Sequence, residues 1–316
     1  MPPTLQTQAI VLRTTKLAEY DRFLVCLTPT YGKLTVLARG VRKPASKLSG
    51  ACGGLSELSV LLATGKSIPA LQQFETRHPF SAIRSCYHAM TASMLLSEAV
   101  EKLTPHSSES ADWAKHPEAD DGPVGQLYQA FRAWLIKTDA LILKSKRPDE
   151  PERHSAMRHH LAMGLAYLLT LSGHGLNVHV CVCCQTPLED PSALSVWTLH
   201  WGSQGIVCKG CRGFFAASLI PISSSTLMLL QGVSFSAADS LDDSLLFDDD
   251  NQPWGQATQA QKAAEKALRF CLSWLLHTLP SKPKSLASVE QSLLSTTNKT
   301  ESLNTGNPRA DLAQSS

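Results

Sequence analysis

Over the first 75 or so positions, apolar residues come in short runs separated by polar turns. The runs are "TLQTQAIVLR" (4–13), "RFLVCLTP" (22–29), "LTVLARGV" (34–41), "LSELSVLLA" (55–63) and "SIPALQQFE" (67–75). Each is about one strand long. The segments between them, such as "TTKLAEYD", "TYGK" and "RKPASKLSGACGG", carry the Gly, Pro, Asp and Ser of turns and loops. Five short strands in so little chain predict a small closed or nearly closed barrel, because closure removes exposed strand edges. The strand count points to the oligonucleotide-binding (OB) type.

From Pro79 the period lengthens to that of a helix. "FSAIRSCYHAMTASMLLSEAVEKL" places Ile83, Tyr87, Met90, Met94, Leu95, Ala99 and Leu103 on one side. A polar loop from about 104 to 125 follows, long enough to be mobile. "VGQLYQAFRAWLIKTDALILKSK" predicts a second helix with Leu127, Phe131, Trp134, Leu135 and Leu141 buried. "RHHLAMGLAYLLTLSGHG" predicts a third, ended by Gly173 or Gly175. "SSSTLMLLQGV" predicts a short helix capped by one of Ser223 to Ser225. "QAQKAAEKALRFCLSWLLHTL" predicts an amphipathic helix with Ala264, Leu268, Cys271, Leu272, Leu275 and Leu279 on one face. After Pro280 large apolar residues thin out, and 281–316 reads as a disordered tail.

The expected class is therefore α+β and multidomain. An N-terminal five-stranded OB-type β-barrel occupies 1–79, and a helical domain occupies 80–177 and 217–280. A four-cysteine module is inserted at 178–216.

Charge sharpens this division. The 316 residues carry a net charge of only +2, but residues 1–80 hold ten Lys and Arg against four Asp and Glu, a net of +6. Residues 235–253 hold six Asp and no cation. Lys33, Arg39, Arg42, Lys43 and Lys47 fall within fifteen positions, and Arg13, Lys16 and Arg22 flank the first strand–strand loop. Clustered cations on a barrel suit a phosphate backbone. Tyr20, Phe23 and Tyr31 are aromatic faces on which unpaired bases can stack. The bland alternative is a solvated basic surface. A hydrophobic fraction of 43% supports a packed core, no run of about twenty apolar residues supports a membrane span, and the N-terminus lacks a secretory pattern. The expectation is a cytoplasmic, nucleoid-associated protein that keeps its cysteines reduced.

Five of the nine cysteines lie between 181 and 211. Cys181–Cys184 and Cys208–Cys211 are two CxxC pairs, 23 residues apart, joined by a segment that reads as a hairpin. Two such turns close a tetrahedral zinc site with no open coordination position, hence a structural one, with one ion per chain. Cys183 is then a spare thiol. His179 and His200 could stand in for a cysteine, and buried core cysteines without metal are the plain alternative. The sequence has no phosphate-binding Gly-rich loop, no HExxH and no GxSxG. His159, His160 and His174 read as helix-face or cap residues, so no catalytic residue is expected.

"LAEYDRFLVCLTPTYGKLTVLARGVRKPASKLSGA" resembles the N-terminal signature of the RecO family of recombination mediators. Glu19, Asp21, Arg22, Thr28, Gly32, Lys33, Ala38, Arg39, Gly40, Arg42 and Ser46 carry the match. The resemblance implies a non-enzymatic DNA repair and recombination protein. Such a protein binds single- and double-stranded DNA and anneals complementary strands. With RecR it loads the recombinase onto DNA coated by single-strand binding protein. It also implies DNA contacts at Arg22, Lys33, Arg39 and Arg42; Arg13, Lys16, Lys43 and Lys47 are added from charge and loop position. The rival readings are a zinc-containing nuclease, which would need carboxylates near the DNA surface, and a protein scaffold without nucleic-acid binding.

Overall fold

In the computed structural model, the described residues are 3–41, 43, 54–64, 68–105, 122–144, 151–188, 197–215, 219–236 and 257–294. Five strands open the chain: β1 (Thr4–Lys16), β2 (Arg22–Thr28), β3 (Gly32–Ala38), β4 (Glu57–Ala63) and β5 (Ala70–His78). They close into a barrel in the order β1-β2-β3-β5-β4, with β4 pairing back onto β1. All pairings are antiparallel except the β3–β5 contact at Leu37 and Ala70. Side chains alternate across a strand, so each strand serves two cores. Ala9, Val11, Leu24, Cys26, Leu34 and Val36 fill the barrel. Ile10, Leu12, Val25 and Leu27 point out of it and join the core of the helical region. β1 runs three residues past the apolar run that predicts it. Polar Thr14, Thr15 and Lys16 pair with Leu24, Phe23 and Arg22, beyond an irregularity between Val11 and Arg13.

The helical region starts with α1 (Ser81–Ser85) and α2 (Tyr87–Leu103), two helices where the periodicity suggests one. Cys86 between them is extended (φ −118°, ψ 117°), and Asp139 Oδ1 accepts a hydrogen bond from Ile83 N in α1. The break resets the helical phase. Leu95 and Ala99 remain buried, but Tyr87 and Met94, expected inside, are exposed. Helix α3 (Pro123–Lys144) buries Leu127, Tyr128, Phe131, Trp134 and Leu135. Helix α4 (Pro151–Leu169) passes into a π turn, Thr170–His174, where Gly173 takes the left-handed conformation (φ 82°). It is buried on nearly every side because α2, α3 and the later helices surround it.

Helices α3 and α4 approach closely. The Trp134 indole stacks on His160 at 4.8 Å and donates from Nε1 to the His160 carbonyl at 2.9 Å. It lies so close to the α4 backbone that a Cβ at Gly164 would sit 2.6 Å from Nε1. His160 is itself buried, with Nε2 3.0 Å from Thr138 Oγ1. Burial pushes its pKa down to about 4.

Downstream, β6 (Thr198–His200), β7 (Gly205–Val207) and β8 (Leu219–Pro221) form a small sheet in the order β7-β6-β8. Leu199 and Ile206 from this sheet join the main core. Helix α5 (Ser224–Ser236) begins where Ser223 Oγ accepts from Thr226 N, and it runs two residues into the acidic 235–253 stretch. Helix α6 (Ala257–Thr278) packs along α4, and Leu268, Cys271, Leu272 and Leu275 are buried as its pattern predicts.

Part of the expected tail is folded, which corrects the reading of 281–316. Helix α7 (Leu286–Val289) continues through a π turn to Leu294 and buries Leu286, Val289, Leu293 and Leu294. Glu98 of α2 accepts from Lys284 N, Ser285 N and Ser285 Oγ, which anchors its start. Arg158 of α4 donates to the Leu293 carbonyl near its end. Residues 106–121, 237–256 and 295–316 lie outside the described residues.

Two outcomes follow for stability. Gly164→Ala should destabilise the protein by roughly 1–3 kcal/mol in urea unfolding, because displacing the Trp134 ring outweighs the gain in helix propensity of about 1 kcal/mol. His160 has a folded pKa below its unfolded value, so the unfolded chain binds more protons between the two. Stability should therefore be complete above pH 6.5 and fall by up to about 3 kcal/mol as pH drops towards 4. His160→Gln should remove that slope.

Candidate nucleic-acid interface and metal centre

The OB topology offers the β2–β3 face and the loops at one end of the barrel for oligonucleotides. The helical region already covers part of that face, since Val25 and Leu27 of β2 lie in its core. Lys33, on the same outward face of β3, is drawn into the contact. It is 6% exposed and its Nζ donates to the carbonyl of Glu101. Glu101 is in the last turn of α2, where carbonyls lack helical partners and a cation is favourable. Lys33, expected as a phosphate contact, is thus buried as a helix-end cation. Arg13 remains 53% exposed but grips the Glu101 carboxylate, with Nη2 to Oε1 at 2.8 Å and Nε within 3.1 Å of both oxygens. That ion pair holds it against α2 and raises its pKa further.

Lys16, Arg22, Arg39 and Lys43 gather at the opposite end of β2 and β3. Register places Lys16 directly across from Arg22, and Arg22 across from Ala38, immediately before Arg39. The loop after β1 is folded back by Leu17 N and Ala18 N donating to the Asp21 carbonyl. Asp21 Oδ1 then accepts from Gly40 N at 2.8 Å, which ties this loop to the turn after β3. Gly40 takes a left-handed conformation (φ 67°), and Lys43 N donates to its carbonyl. The result brings Lys16, Arg22, Arg39 and Lys43 to one rim. Lys16, Arg39 and Lys43 are exposed, and Arg22 is half-buried with no partner for its Nε among the described residues. Tyr20 stands on the same loop, 42% exposed. Of the other aromatics, Phe23 is half-buried and Tyr31 packs on the barrel core. Arg42 and Lys47 lie outside the described residues.

The cysteines make a separate cluster. The hairpin of β6 and β7 turns through Trp201–Gln204 and returns Cys208 beside Cys181. Val182 N donates to the Ile206 carbonyl, and Cys208 N points at Cys181 Sγ at 3.4 Å. The first CxxC turn is closed by Gln185 N donating to the Cys181 carbonyl, with Gln185 in positive φ (60°). The sulfurs of Cys181, Cys184, Cys208 and Cys211 all lie within 4.8 Å of one another. Cys184 and Cys208 are 3.7 Å apart. A tetrahedron of metal–thiolate bonds of about 2.3 Å has an edge near 3.8 Å, so the four thiols fit a metal ion. Among the described residues they are the one group of His, Cys, Asp or Glu so placed. Cys183 and His179 are not in it, and His200 instead bonds Ser203 and faces Phe215.

The electrostatics agree with a cation-holding cluster. The Thr186 hydroxyl, 3.1 Å from Cys184 Sγ, pulls that thiol down to about 6. Burial acts to raise Cys181, but N–H groups of Cys184, Cys208 and Cys183 directed at its sulfur bring it below the ordinary value. Cys211 is pushed up, chiefly by its contact with Cys184. Four sulfurs this close cannot all ionise together unless a cation offsets their repulsion.

Residues 1–80 match the family model described as recombination protein O N terminal. A DNA repair protein RecO from Cutibacterium acnes is 36% identical over 215 residues, covering 66% of this chain and 75% of that protein. The chain belongs to the RecO family. A DNA repair protein RecO from Bifidobacterium adolescentis is 30% identical, with 65% of this chain and 73% of that protein covered. One from Synechococcus elongatus is 42% identical over a shorter span of 100 residues. Membership in RecO gives the chain a DNA repair role. Among the described residues no helix is long and apolar enough to cross a membrane.

Sequence alone missed that Arg13 and Lys33 serve the barrel–helix contact. Glu101 lies 88 and 68 positions away from them, and no local pattern signals the pairing. The metal set has a sharp test. In protein purified with zinc, Cys184→Ser should lose the bound ion, and Cys183→Ser should keep one per chain by elemental analysis. Equal loss from both would place the wrong thiol in the set.

Proposed function

We propose that this RecO-family chain is a non-enzymatic recombination mediator that acts in the cytoplasm on nucleoid DNA. It binds single- and double-stranded DNA through the barrel rim and brings complementary strands together. The observation that carries this reading is the convergence of Lys16, Arg22, Arg39 and Lys43, beside exposed Tyr20, on one end of an OB barrel. Four cations on one rim neutralise several phosphates at once, and that lowers the repulsion between two strands so that bases can pair. Tyr20 offers a face on which an unpaired base can stack. Arg42 and Lys47 belong to the same cationic stretch of sequence. Family resemblance further implies RecR, single-strand binding protein and the recombinase as partners, with the helical region as their platform.

The four cysteines hold zinc in this reading. Four thiolates leave no position for water or substrate, so the ion braces the 178–216 module and takes no part in chemistry. The module is fastened to the helical core by Trp201, stacked on Phe270 and beside His277, and by Gln231 donating to the Val178 carbonyl.

The double variant Arg39→Glu with Lys43→Glu tests the rim. At 50–200 mM salt it should weaken binding to single strands of any sequence by at least tenfold. If both cations meet phosphates, the slope of log affinity against log salt should shrink by about 1.4. Strand annealing should fall in parallel. Unchanged affinity and slope would sink the reading.

A further inference from the structure

A carboxylate sits inside the cationic rim. Asp21 is half-buried at the end of the loop after β1, next to Arg22. Its negative charge opposes the approach of a phosphate, so by charge alone the rim would bind DNA better without it. Its hydrogen bonds give it another part. Three backbone N–H groups from two loops converge on this one residue. Leu17 N and Ala18 N donate to its carbonyl at 3.1 and 3.4 Å, and Gly40 N donates to Oδ1 at 2.8 Å. The ladder between β2 and β3 ends at Arg22 and Ala38, and the Asp21 side chain extends the link two residues further, to Gly40. Lys16, Arg22 and Arg39 are each next in sequence to a residue of this set, and Lys43 N donates to the Gly40 carbonyl at 3.2 Å.

Cations on neighbouring loops repel one another, and a loop that must be ordered when the ligand arrives loses affinity. We infer that Asp21 is a positioning residue for the rim. Its side chain holds the loop after β1 against the turn after β3, so that the four cations meet a phosphate backbone together. The bond matters more than the charge. What Gly40 N needs is an acceptor at the position of Oδ1, which an asparagine also offers and a glutamate, one methylene longer, does not. This inference rests on the reading of the rim as a DNA-binding surface.

The test measures binding of the full-length protein to a labelled 40-nucleotide single strand across a salt series. Asp21→Asn keeps the acceptor and removes the charge, and it should bind at least as tightly as wild type. Asp21→Glu keeps the charge and displaces the carboxylate. It should bind about fivefold more weakly at about 0.1 M salt, with a slope of log affinity against log salt smaller by about 0.7, the loss of one phosphate contact. Asp21→Ala should weaken binding in the same way, although it removes a negative charge. Charge alone predicts the opposite order, with wild-type affinity for Asp21→Glu and tighter binding for Asp21→Asn and Asp21→Ala. Urea unfolding checks that each variant is folded, and should Asp21→Ala not fold, the other two decide the matter. If the wild type binds no single strand, the rim reading fails and this inference fails with it. If the wild type binds and Asp21→Glu matches it, or Asp21→Asn falls as far as Asp21→Glu, or Asp21→Ala binds more tightly, only the positioning role is overturned.

Discussion

Glu57 is a carboxylate at the start of β4 that is 1% exposed. Its Oε1 accepts from Arg132 Nε at 2.8 Å and from the Tyr128 hydroxyl at 3.2 Å, both on α3. A charge so buried is tolerated only with a partner, and removing either side of such a pair costs about 3–5 kcal/mol. The pair therefore makes the barrel's position on α3 close to obligatory. It also fixes register. Glu57 lies across from Ile10 on one side and His78 on the other, and a slip by one residue would turn every side chain of β4 to the wrong face. Burial and the adjacent carboxylate both push Tyr128 far above its ordinary pKa, so its hydroxyl stays a donor.

With the barrel seated this way, its cations divide into two sets. Those facing the helical region, Arg13 and Lys33, are both committed to Glu101, one to the carboxylate and one to the carbonyl. At the far end of β2 and β3, Lys16, Arg39 and Lys43 are exposed and Arg22 is half-buried. The Asp21–Gly40 bond brings them together through a backbone N–H. The same fold thus takes an N-terminal excess of positive charge and gathers part of it on one rim.

The strands were legible because alternation and turn residues are local signals, and so were the helices whose buried faces repeat cleanly, such as α6. The two CxxC pairs were legible because their spacing carries the geometry of the turn. What was not legible required distant partners or a choice between signals. Lys33 looked like its neighbours Arg39 and Lys43 until α2 supplied a carbonyl. The extended Cys86 has no local marker of Gly or Pro, and with it went the placement of Tyr87 and Met94. The last helix is a different case. "LASVEQSLL" has Leu286, Val289, Leu293 and Leu294 at helical spacing, and the polar composition around it obscured a pattern that was present.

The cysteine module shows how a nearly coreless piece of chain is kept in place. Its own buried apolar cluster amounts to Cys181, Val207 and Cys211, with Val182, Trp197, Phe215 and Leu219 partly covering them. Its strands β6, β7 and β8 are three residues each. So small a sheet cannot stand alone. Two different forces compensate on its two sides. Facing inward, Leu199 and Ile206 belong to the large helical core, and Trp201 packs on α6. Away from that core, where only Val207 and a few partly buried side chains pack, the four thiols converge. A metal is most useful at that outer side, because it supplies a cross-link where burial cannot. The inner side fixes where the module sits, and the sulfur cluster fixes the shape of the turns it presents to solvent.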